Sequence, residues 1–259
     1  MLKNSEYFIG IFVKMLLFLS MSFLSICYLT NGQLNESVIR ETRPLSSSTF
    51  DEIEINGAFD IFLSRTTNKS SNSTVQIETN IDIQKNVIVE IIDHHILSIR
   101  LHGSFHLEKT INVYIRFSSP LRRYTVKGNG NTLTDDNGII NEDNRVFLVD
   151  HRGVGNLAIR LDVYKFEFYF TGTGNSRFWG QVRQQTLVNA KGVGDINAQN
   201  LLTRNADVLV TGISIVRVMA TEDLQIQVTG ISNVYYQLPQ GKKPSKAIST
   251  GLGKIVPIS

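Results

Sequence analysis

The sequence predicts an all-β solenoid in which short strands stack as parallel coils of roughly 20 residues. Short runs rich in β-branched and aromatic residues follow one another from residue 50 onward, and polar turns separate them. Glycine-rich corners recur through the second half of the chain at nearly even spacing. After the N-terminal apolar segment, no stretch keeps a convincing helical period. These patterns favour stacked strands over a mixed α/β fold.

Residues 1–32 have the pattern of a secretory signal peptide. Lys3 and Lys14 flank the start, residues 15–29 are almost entirely apolar, and small residues follow. We expect cleavage after Gly32, which predicts an extracellular or cell-surface location.

Two alternatives to cleavage stay open. An uncleaved signal anchor would cross the membrane through residues 8–29, although Lys14 interrupts that run. A lipoprotein signal would end at Cys27, but the bulky Ile26 beside it counts against this interpretation. Because Cys27 is the only cysteine, the mature chain is expected to be held together by core burial and backbone pairing alone.

The remainder divides into a linker and one domain. Residues 33–48 carry few apolar side chains and end in proline and serine, which is typical of a linker. Residues 49–259 form the predicted β-domain, whose repeats become recognisable from about residue 124.

The glycine corners define those repeats. Their first glycines are 18 to 25 residues apart. Glycine allows the positive φ that a tight corner between two short strands requires. The corner glycines are Gly128, Gly130, Gly153, Gly155, Gly172, Gly174, Gly192, Gly194, Gly212, Gly230, Gly251 and Gly253.

The residues around each corner repeat as well. Positions two and four before the first glycine are mostly apolar and are expected to face inward, whereas the position directly before it is Lys, Arg or Thr and is expected to face water. The apolar residues directly after the first glycine are also expected to point inward: Val154, Val193, Ile213, Ile231 and Leu252. A third set is expected to cap its own turn with a side-chain oxygen: Asn131, Asn156, Asn175, Asp195 and Asn233. Ile215 and Lys254 interrupt this set.

One corner, G-V-G-D at residues 192–195, resembles the start of a phosphate-binding loop. A dinucleotide loop needs a strand, then glycines, then a helix whose N-terminus holds the phosphate. Strand-like residues follow the glycines here, and the motif repeats along the chain. The motif is therefore interpreted as a structural corner.

Several segments together resemble a known family. The opening "FDEIEINGAFDIFLS", the strand "LSIRL", the segment "INVYIRFSSPLRRYTVKGNGN" and the repeated G-x-G corners are similar to the putative auto-transporter adhesin, head GIN domain family, DUF2807. The resemblance implies a right-handed parallel β-helix, similar to pectin-lyase-like solenoids, on the cell surface or secreted. It implies adhesion without an established catalytic site. Ser214 and Ser232 depart from the pattern because they replace the second corner glycine.

The histidines and acids give weak candidates for chemistry. His102 and His106 could share one face of a strand, but a zinc site needs three or four converging ligands. His94 and His95 follow Asp93 between two apolar runs and are interpreted as part of a hairpin turn. His151 falls in an inward column and is expected to be a satisfied core histidine. The acids of "TDDNGIINEDNR" are expected in a solvated loop. No metal or cofactor is predicted.

The best binding candidate is the outward face of the strands that precede the corners. On adjacent coils it would carry side chains able to follow an extended glycan, although an ordinary solvated face is the alternative. The candidate residues are Asp150, Arg152, Tyr169, Asn189 and Lys191, with Trp179 close by. Sequons at Asn35, Asn68 and Asn72 predict glycosylation if the host is eukaryotic.

The predicted function is non-catalytic recognition or adhesion, with extracellular glycans or surface proteins as partners. A formal net charge of +3 gives no case for nucleic acid. The alternatives are a polysaccharide hydrolase or lyase on the same scaffold and a purely structural surface module.

Overall fold

The computed structural model describes residues 37–47, 49–66, 68, 71–103 and 110–258. The predicted signal segment, Asn35 and His106 lie outside these residues. The strands up to the first repeated corner are β1 (Val38–Arg43), β2 (Glu52–Asn56), β3 (Phe59–Arg65), β4 (Thr74–Asn80), β5 (Val87–Ile92), β6 (Ile96–Leu101), β7 (Ile111–Phe117) and β8 (Arg123–Val126). The later strands are β9 (Thr132–Thr134), β10 (Ile139–Ile140), β11 (Val146–His151), β12 (Leu157–Phe170), β13 (Ser176–Ala190), β14 (Ile196–Val210), β15 (Ile215–Met219), β16 (Asp223–Val228), β17 (Asn233–Gln237), β18 (Lys246–Ser249) and β19 (Ile255–Pro257).

The predicted all-β class is confirmed. The strands join in one sheet of 19 strands, and the helix of the described residues is the single turn α1 (Ile81–Gln84). Asn80 caps that helix, since its side-chain oxygen accepts a hydrogen bond from the backbone N–H of Asp82 at 3.0 Å. Strand β1 falls inside the segment predicted as a linker and pairs with β4.

Alternating side chains explain why these segments form strands with one buried face. In β7, the buried residues are Ile111, Val113, Ile115 and Phe117, whereas Tyr114 and Arg116 between them face outward. The long strands repeat this pattern with aromatic residues. The rings of Phe166, Phe168, Phe170, Phe178 and Phe147 pack against one another in the core.

The repeated part stacks its coils in parallel, as predicted. Leu157 of β12 pairs with Ser176 of β13, and Ser176 pairs with Ile196 of β14. The corners follow the same order, because parallel bridges join Asn129 to Val154, Val154 to Thr173, Thr173 to Val193, and Val193 to Ile213. Each corner therefore lies directly beside the corner of the next coil.

The expectation of a right-handed parallel β-helix needs correction for the whole domain. The pairs β1–β4, β4–β7 and β5–β6 are antiparallel, and the sheet is nearly closed and barrel-like. The cause is local. Asp93 and His94 adopt φ values of 50° and 63°, which turns the chain back on itself between β5 and β6.

The stacked coils also begin earlier than residue 124. Strands β2 and β3 flank a corner at Gly57, and they pair in parallel with β8 and β9 of the next coil. Ala58 bridges to Asn129 in the same way that later corners bridge to each other. In this first corner Phe59 stands where later corners have their second glycine, which hides the repeat in the sequence.

Two glycines of one corner are needed for different reasons. Gly174 adopts φ +137°, and a Cβ there would lie 1.9 Å from the carbonyl oxygen of Gly155 in the coil before. Gly172 has no positive φ, but a Cβ there would lie 2.1 Å from the carbonyl oxygen of Gly153. The expectation that positive φ sets both positions is therefore wrong, since close approach of neighbouring coils alone requires the first glycine.

The corners change where serine replaces glycine. Ser214 and Ser232 are buried and do not have positive φ. The Ser232 hydroxyl donates to the carbonyl oxygen of Gly212 at 2.7 Å and accepts the backbone N–H of Ser214 at 2.9 Å. A side-chain hydroxyl thus joins two coils at these corners.

The asparagine column joins coils and does not cap its own turn, contrary to expectation. The side-chain oxygen of Asn131 accepts the backbone N–H of Asn156 at 3.1 Å, and Asn156 does the same for Asn175 at 2.9 Å. Asn175 then accepts from Asp195 at 3.0 Å. Asp60 of the first coil starts this ladder by accepting from the N–H of Asn131 at 2.7 Å. The column therefore ties each corner to the next through side-chain hydrogen bonds.

The prediction that the residues after the first glycine point inward is wrong. Each lies at the apex of its corner, where the strand alternation that precedes the glycine no longer sets the side-chain direction. We call these residues the corner ridge. Their exposed fractions are 54% for Val154, 48% for Val193, 55% for Ile213, 60% for Ile231 and 81% for Leu252.

Candidate functional site

A row of outward side chains runs across the coils on one side of the sheet. Parallel register places Phe62 of β3 beside Leu133 of β9 and, on its other side, beside Tyr114 of β7. The row continues through Ala158, Arg177, Asn197, Arg217 and Tyr235, each paired with the next. Successive members are one strand spacing apart, ~4.8 Å.

A second outward row lies beside the first. It carries Arg116 next to Ser64, and Arg160 next to Trp179. We call the two rows together the aromatic–arginine face, formed by Phe62, Tyr114, Arg116, Leu133, Arg160, Arg177, Trp179, Arg217 and Tyr235.

Ring contacts order the side chains of this face. The rings of Phe62 and Tyr114 stack with their centroids 4.8 Å apart and their planes 14° apart. The guanidinium of Arg177 lies 5.5 Å from the ring centroid of Trp179, and that of Arg217 lies 5.5 Å from Tyr235. A guanidinium group therefore lies against an aromatic ring at two places on the face.

A groove opens beside the stacked pair of rings. Its volume is about 360 Å³, and Phe62, Gln76, Tyr114, Arg116 and Asp135 contribute to its lining. The Ser64 hydroxyl donates to Oδ2 of Asp135 at 2.7 Å across one side. The groove thus combines ring surface with hydrogen-bonding groups, the composition found in small-molecule and sugar sites.

The arginines of the face differ from most arginines elsewhere on the protein. Among the described residues, Arg116, Arg160, Arg177 and Arg217 have no carboxylate within ion-pair distance. At the edge of the face, by contrast, Arg40 binds Glu78, and hydrogen bonds from Asn112 and from Arg40 lower the pKa of that carboxyl. The four arginines are free to bind an external group.

The structure brings together only part of the sequence-predicted binding residues. Asp150, Tyr169 and Asn189 are neighbours in one row on the strand segments that precede the corners. The Arg152 guanidinium donates to Asp150 with its Nε at 2.9 Å, so these two groups bind each other. The Tyr169 hydroxyl donates to Glu167 at 3.1 Å, and burial together with that contact raises the pKa of Tyr169.

The remaining two predicted binding residues lie apart from that row. Lys191 is exposed at its corner. Trp179 lies in the first half of β13, whereas Asn189 lies in the second half, beyond a register shift between Val182 and Gln185. Trp179 therefore belongs to the aromatic–arginine face, which the sequence alone did not reveal.

His151 is a core residue, but it is not satisfied as predicted. It is fully buried, and its ring lies 5.4 Å from the ring of Phe170. Neither ring nitrogen has a hydrogen-bond partner among the described residues. Burial lowers the pKa of His151, against a smaller opposing effect of Asp150. The imidazole is therefore held neutral in an apolar stack.

One cluster has the residue types of a metal site. Ligand atoms of Asp51, Glu52 and His95 lie within 4.8 Å of one another. The guanidinium of Arg122 already binds both carboxylates, with Nε 2.6 Å from Asp51 and Nη2 3.2 Å from Glu52. Nδ1 of His95 lies 2.6 Å from the carbonyl oxygen of Asp93. The arginine supplies the positive charge that a cation would bring.

The acids considered for hydrolysis have local structural partners. Asp135 accepts the backbone N–H groups of Asn137 at 3.1 Å and Gly138 at 3.2 Å, which closes a turn. Asp143 accepts from Nε of Arg145 at 2.6 Å. These acids lie in turns, but the segment is not a solvated loop throughout, because Ile139 and Ile140 form β10 and Asn141 is buried.

The family comparison decides what kind of protein carries this face. The sequence model of the putative auto-transporter adhesin, head GIN domain, matches residues 49–237. The chain belongs to that family. The sequence-based resemblance is therefore confirmed, and the aromatic–arginine face is a feature of a GIN-domain protein.

Solved structures share the fold of this GIN-domain protein. A putative adhesin from Bacteroides fragilis NCTC 9343 superimposes with a TM-score of 0.77 at 22% identity, over 87% of this chain and 99% of the other. A putative adhesin from Parabacteroides distasonis ATCC 8503 gives 0.56 at 17% identity, over 87% and 98%. A protein from the same organism described as a putative lipid binding protein gives 0.52 at 15% identity, over 85% and 97%. No curated protein matches this GIN-domain sequence.

Two of the predicted glycosylation sites lie on the surface of the GIN-domain protein. Asn68 and Asn72 are both exposed in the connection between β3 and β4. Among the described residues, no helix has the length and apolar composition needed to cross a bilayer.

Proposed function

We propose that this GIN-domain protein is a secreted or cell-surface recognition module that binds an extended glycan along the aromatic–arginine face and does not catalyse its conversion. Residues 1–32 serve as its signal segment, and the parallel coils that begin at the Gly57 corner form the β-helical part of the scaffold. The parallel pairing of β8, β11, β12, β13 and β14 supports that arrangement.

The observation that carries the proposal is the row of outward side chains in register across the coils. A stacked ring pair at one end, Trp179 in the middle and Tyr235 toward the other end place aromatic rings on different coils at multiples of a strand spacing. An arginine lies against one ring at each of these places, Arg40 on Tyr114, Arg177 on Trp179 and Arg217 on Tyr235, so a sugar would pack on the ring surface that these groups leave open. Ring faces pack against the apolar faces of sugars, and the intervening polar groups bind hydroxyls. An extended polymer can therefore contact several coils at once.

Replacing Trp179 by alanine tests this assignment. Because Trp179 is the only tryptophan of the chain and lies centrally on the face, its loss is expected to weaken glycan binding by roughly tenfold or more. Binding of a panel of soluble polysaccharides to the secreted protein, followed by titration of the best ligand, measures the effect. Reducing-sugar release in the same mixtures is expected to stay at the background level.

Tyr169→Ala is the matched control, since it removes an aromatic ring from the other candidate row. Loss of affinity on Tyr169→Ala with retention on Trp179→Ala would move the site to Asp150, Tyr169 and Asn189. If both variants kept the full affinity for glycan, neither row would be the binding site. Product formation would establish the hydrolase or lyase alternative.

The corner ridge favours a second candidate function, attachment to an apolar partner surface. Its side chains are between 48% and 81% exposed, and Val193 and Ile213 lie on adjacent corners, whereas Thr173 separates Val193 from Val154. Contiguous exposed apolar side chains often mark protein or lipid contacts. Val193→Ser together with Ile213→Ser is expected to reduce binding to such a surface and to leave glycan binding unchanged.

A further inference from the structure

We propose that the ligand of the aromatic–arginine face is an acidic polysaccharide, whose carboxylate or sulfate groups bind the four arginines without carboxylate partners. This inference rests on the proposed function and gives it a substrate class. It starts from the charges of the face: Arg116, Arg160, Arg177 and Arg217 project from different coils, and none has an acidic partner among the described residues.

The acids near these arginines are already bound by other groups. Asp162 accepts from Nη2 of Arg183 at 2.6 Å, and Asp60 accepts from the backbone and side-chain nitrogens of Asn131. Asp135 accepts from Ser64 and from its own turn. Of these acids only Asp162 is neutralised by a cation, whereas Asp60 and Asp135, and Asp195 beside the row, accept only from uncharged groups and keep their negative charges. The four arginines exceed these three carboxylates by one, and guanidinium groups without ion-pair partners favour an anionic ligand over a neutral one.

The residue type points to oxyanions that accept two parallel hydrogen bonds. The four groups are all arginine, whose planar fork of N–H donors matches the geometry of carboxylate and sulfate oxygens. Two of the side chains are also ordered in advance, since Arg177 lies against Trp179 and Arg217 against Tyr235. Ordering before binding reduces the entropy that the complex loses.

The stem of a third arginine is fixed as well. A Cβ placed at Gly138 would lie 2.8 Å from Cβ and 2.9 Å from Cγ of Arg160, so the backbone of that loop lies directly beside the stem. The base of the Arg160 side chain therefore packs against this loop, on the same row as Trp179.

The spacing fits a repeating polymer. Asn197 lies between Arg177 and Arg217 in the row, so the two arginines are two strand spacings apart, ~9.6 Å. Many acidic polysaccharides carry their charge on every second sugar, and a disaccharide repeat has a similar length. One chain laid across the coils can therefore reach both arginines without bending.

The experiment compares four polymers on the full secreted protein. Polygalacturonate supplies carboxylates, dextran sulfate supplies sulfates, dextran is the neutral control, and single-stranded DNA is a polyanion without sugar acids. Binding is measured at ionic strengths of about 0.01 M and about 0.1 M, between which the screening length falls from roughly 30 to roughly 10 Å. We expect the two acidic polysaccharides to bind, with weaker binding at the higher salt.

Paired substitutions separate a specific site from total charge. Arg177→Gln with Arg217→Gln is expected to weaken acidic-polysaccharide binding by roughly tenfold or more, as loss of charge-assisted hydrogen bonds predicts. Arg145→Gln with Arg204→Gln removes the same two charges from arginines that bind Asp143 and Glu222. This control pair is expected to change binding by less than about twofold, as for exposed ion pairs.

Each of the other outcomes would overturn one part of the proposal. Equal binding of dextran that the arginine variants do not affect would overturn the acidic ligand and leave glycan recognition standing. Equal losses from the two variant pairs, or DNA binding as tight as polygalacturonate, would reduce the face to a general polyanion surface and overturn the inference. Absence of binding to every polysaccharide would overturn the proposed function itself.

Discussion

Replacing Gly174 with alanine is expected to lower the free energy of unfolding by at least about 4 kcal/mol, because it combines backbone strain with a steric clash. The residue has φ +137°, a region that side-chain-bearing residues rarely adopt. The new Cβ would also lie 1.9 Å from the carbonyl oxygen of Gly155. Relief of that contact requires two coils to separate, which breaks the ladder on both sides. Urea unfolding followed by far-UV circular dichroism measures the loss.

Gly241→Ala is the control that isolates the strain. Gly241 has φ +82°, but nothing lies within 4 Å of a Cβ built there. Its substitution is therefore expected to cost only about 1–2 kcal/mol, the penalty of the left-handed region. Equal losses at the two positions would show that close approach of coils contributes nothing, and would contradict the assignment of Gly174 to a stacked corner.

A second large effect is expected from the buried His151 as the pH falls. Burial lowers its pKa in the folded state, whereas the unfolded chain has the ordinary value near 6.5. The unfolded state then binds more protons, so the stability is present above about pH 6.5 and is lost below it by about 1.4 kcal/mol per pH unit.

His151→Phe is expected to remove this contribution. Phenylalanine extends the ring stack on Phe170 and has no nitrogen to protonate. The difference in unfolding free energy between the variant and the natural chain should grow as the pH falls from 7 to 5. His102→Gln is the control, because it removes an exposed histidine and leaves the buried ring stack intact. A constant difference for His151→Phe across this range would contradict a neutral buried imidazole.

The corners could be predicted from the sequence because glycine pairs that recur at a nearly fixed spacing are typical of a repeated turn. The strand class followed from alternation such as that of β7, and both are local properties. The corner ridge was mispredicted because the alternation was carried through the corner, where the backbone changes direction. Ser214 and Ser232 were correctly seen as departures, but their hydrogen bonds between coils depend on the neighbouring coil.

The candidate site could not be predicted in the same way. Phe62 and Tyr114 are far apart in the chain, and only the register of β3 with β7 brings their rings into contact. The coil at Gly57 was not recognised as a repeat, so its outward residues could not be aligned with those of later coils. Trp179 was expected beside Asn189, but the register shift in β13 separates the two halves of that strand.

Distances between spin labels test the central claim, that successive corners lie one strand spacing apart. In a Cys27→Ser background, labels at Ala58→Cys and Ile213→Cys span five corner steps, and labels at Val154→Cys and Ile213→Cys span three. Stacked corners predict backbone separations of ~24 Å for the first pair and ~14 Å for the second. Separations that do not increase with the number of corner steps would contradict the stack.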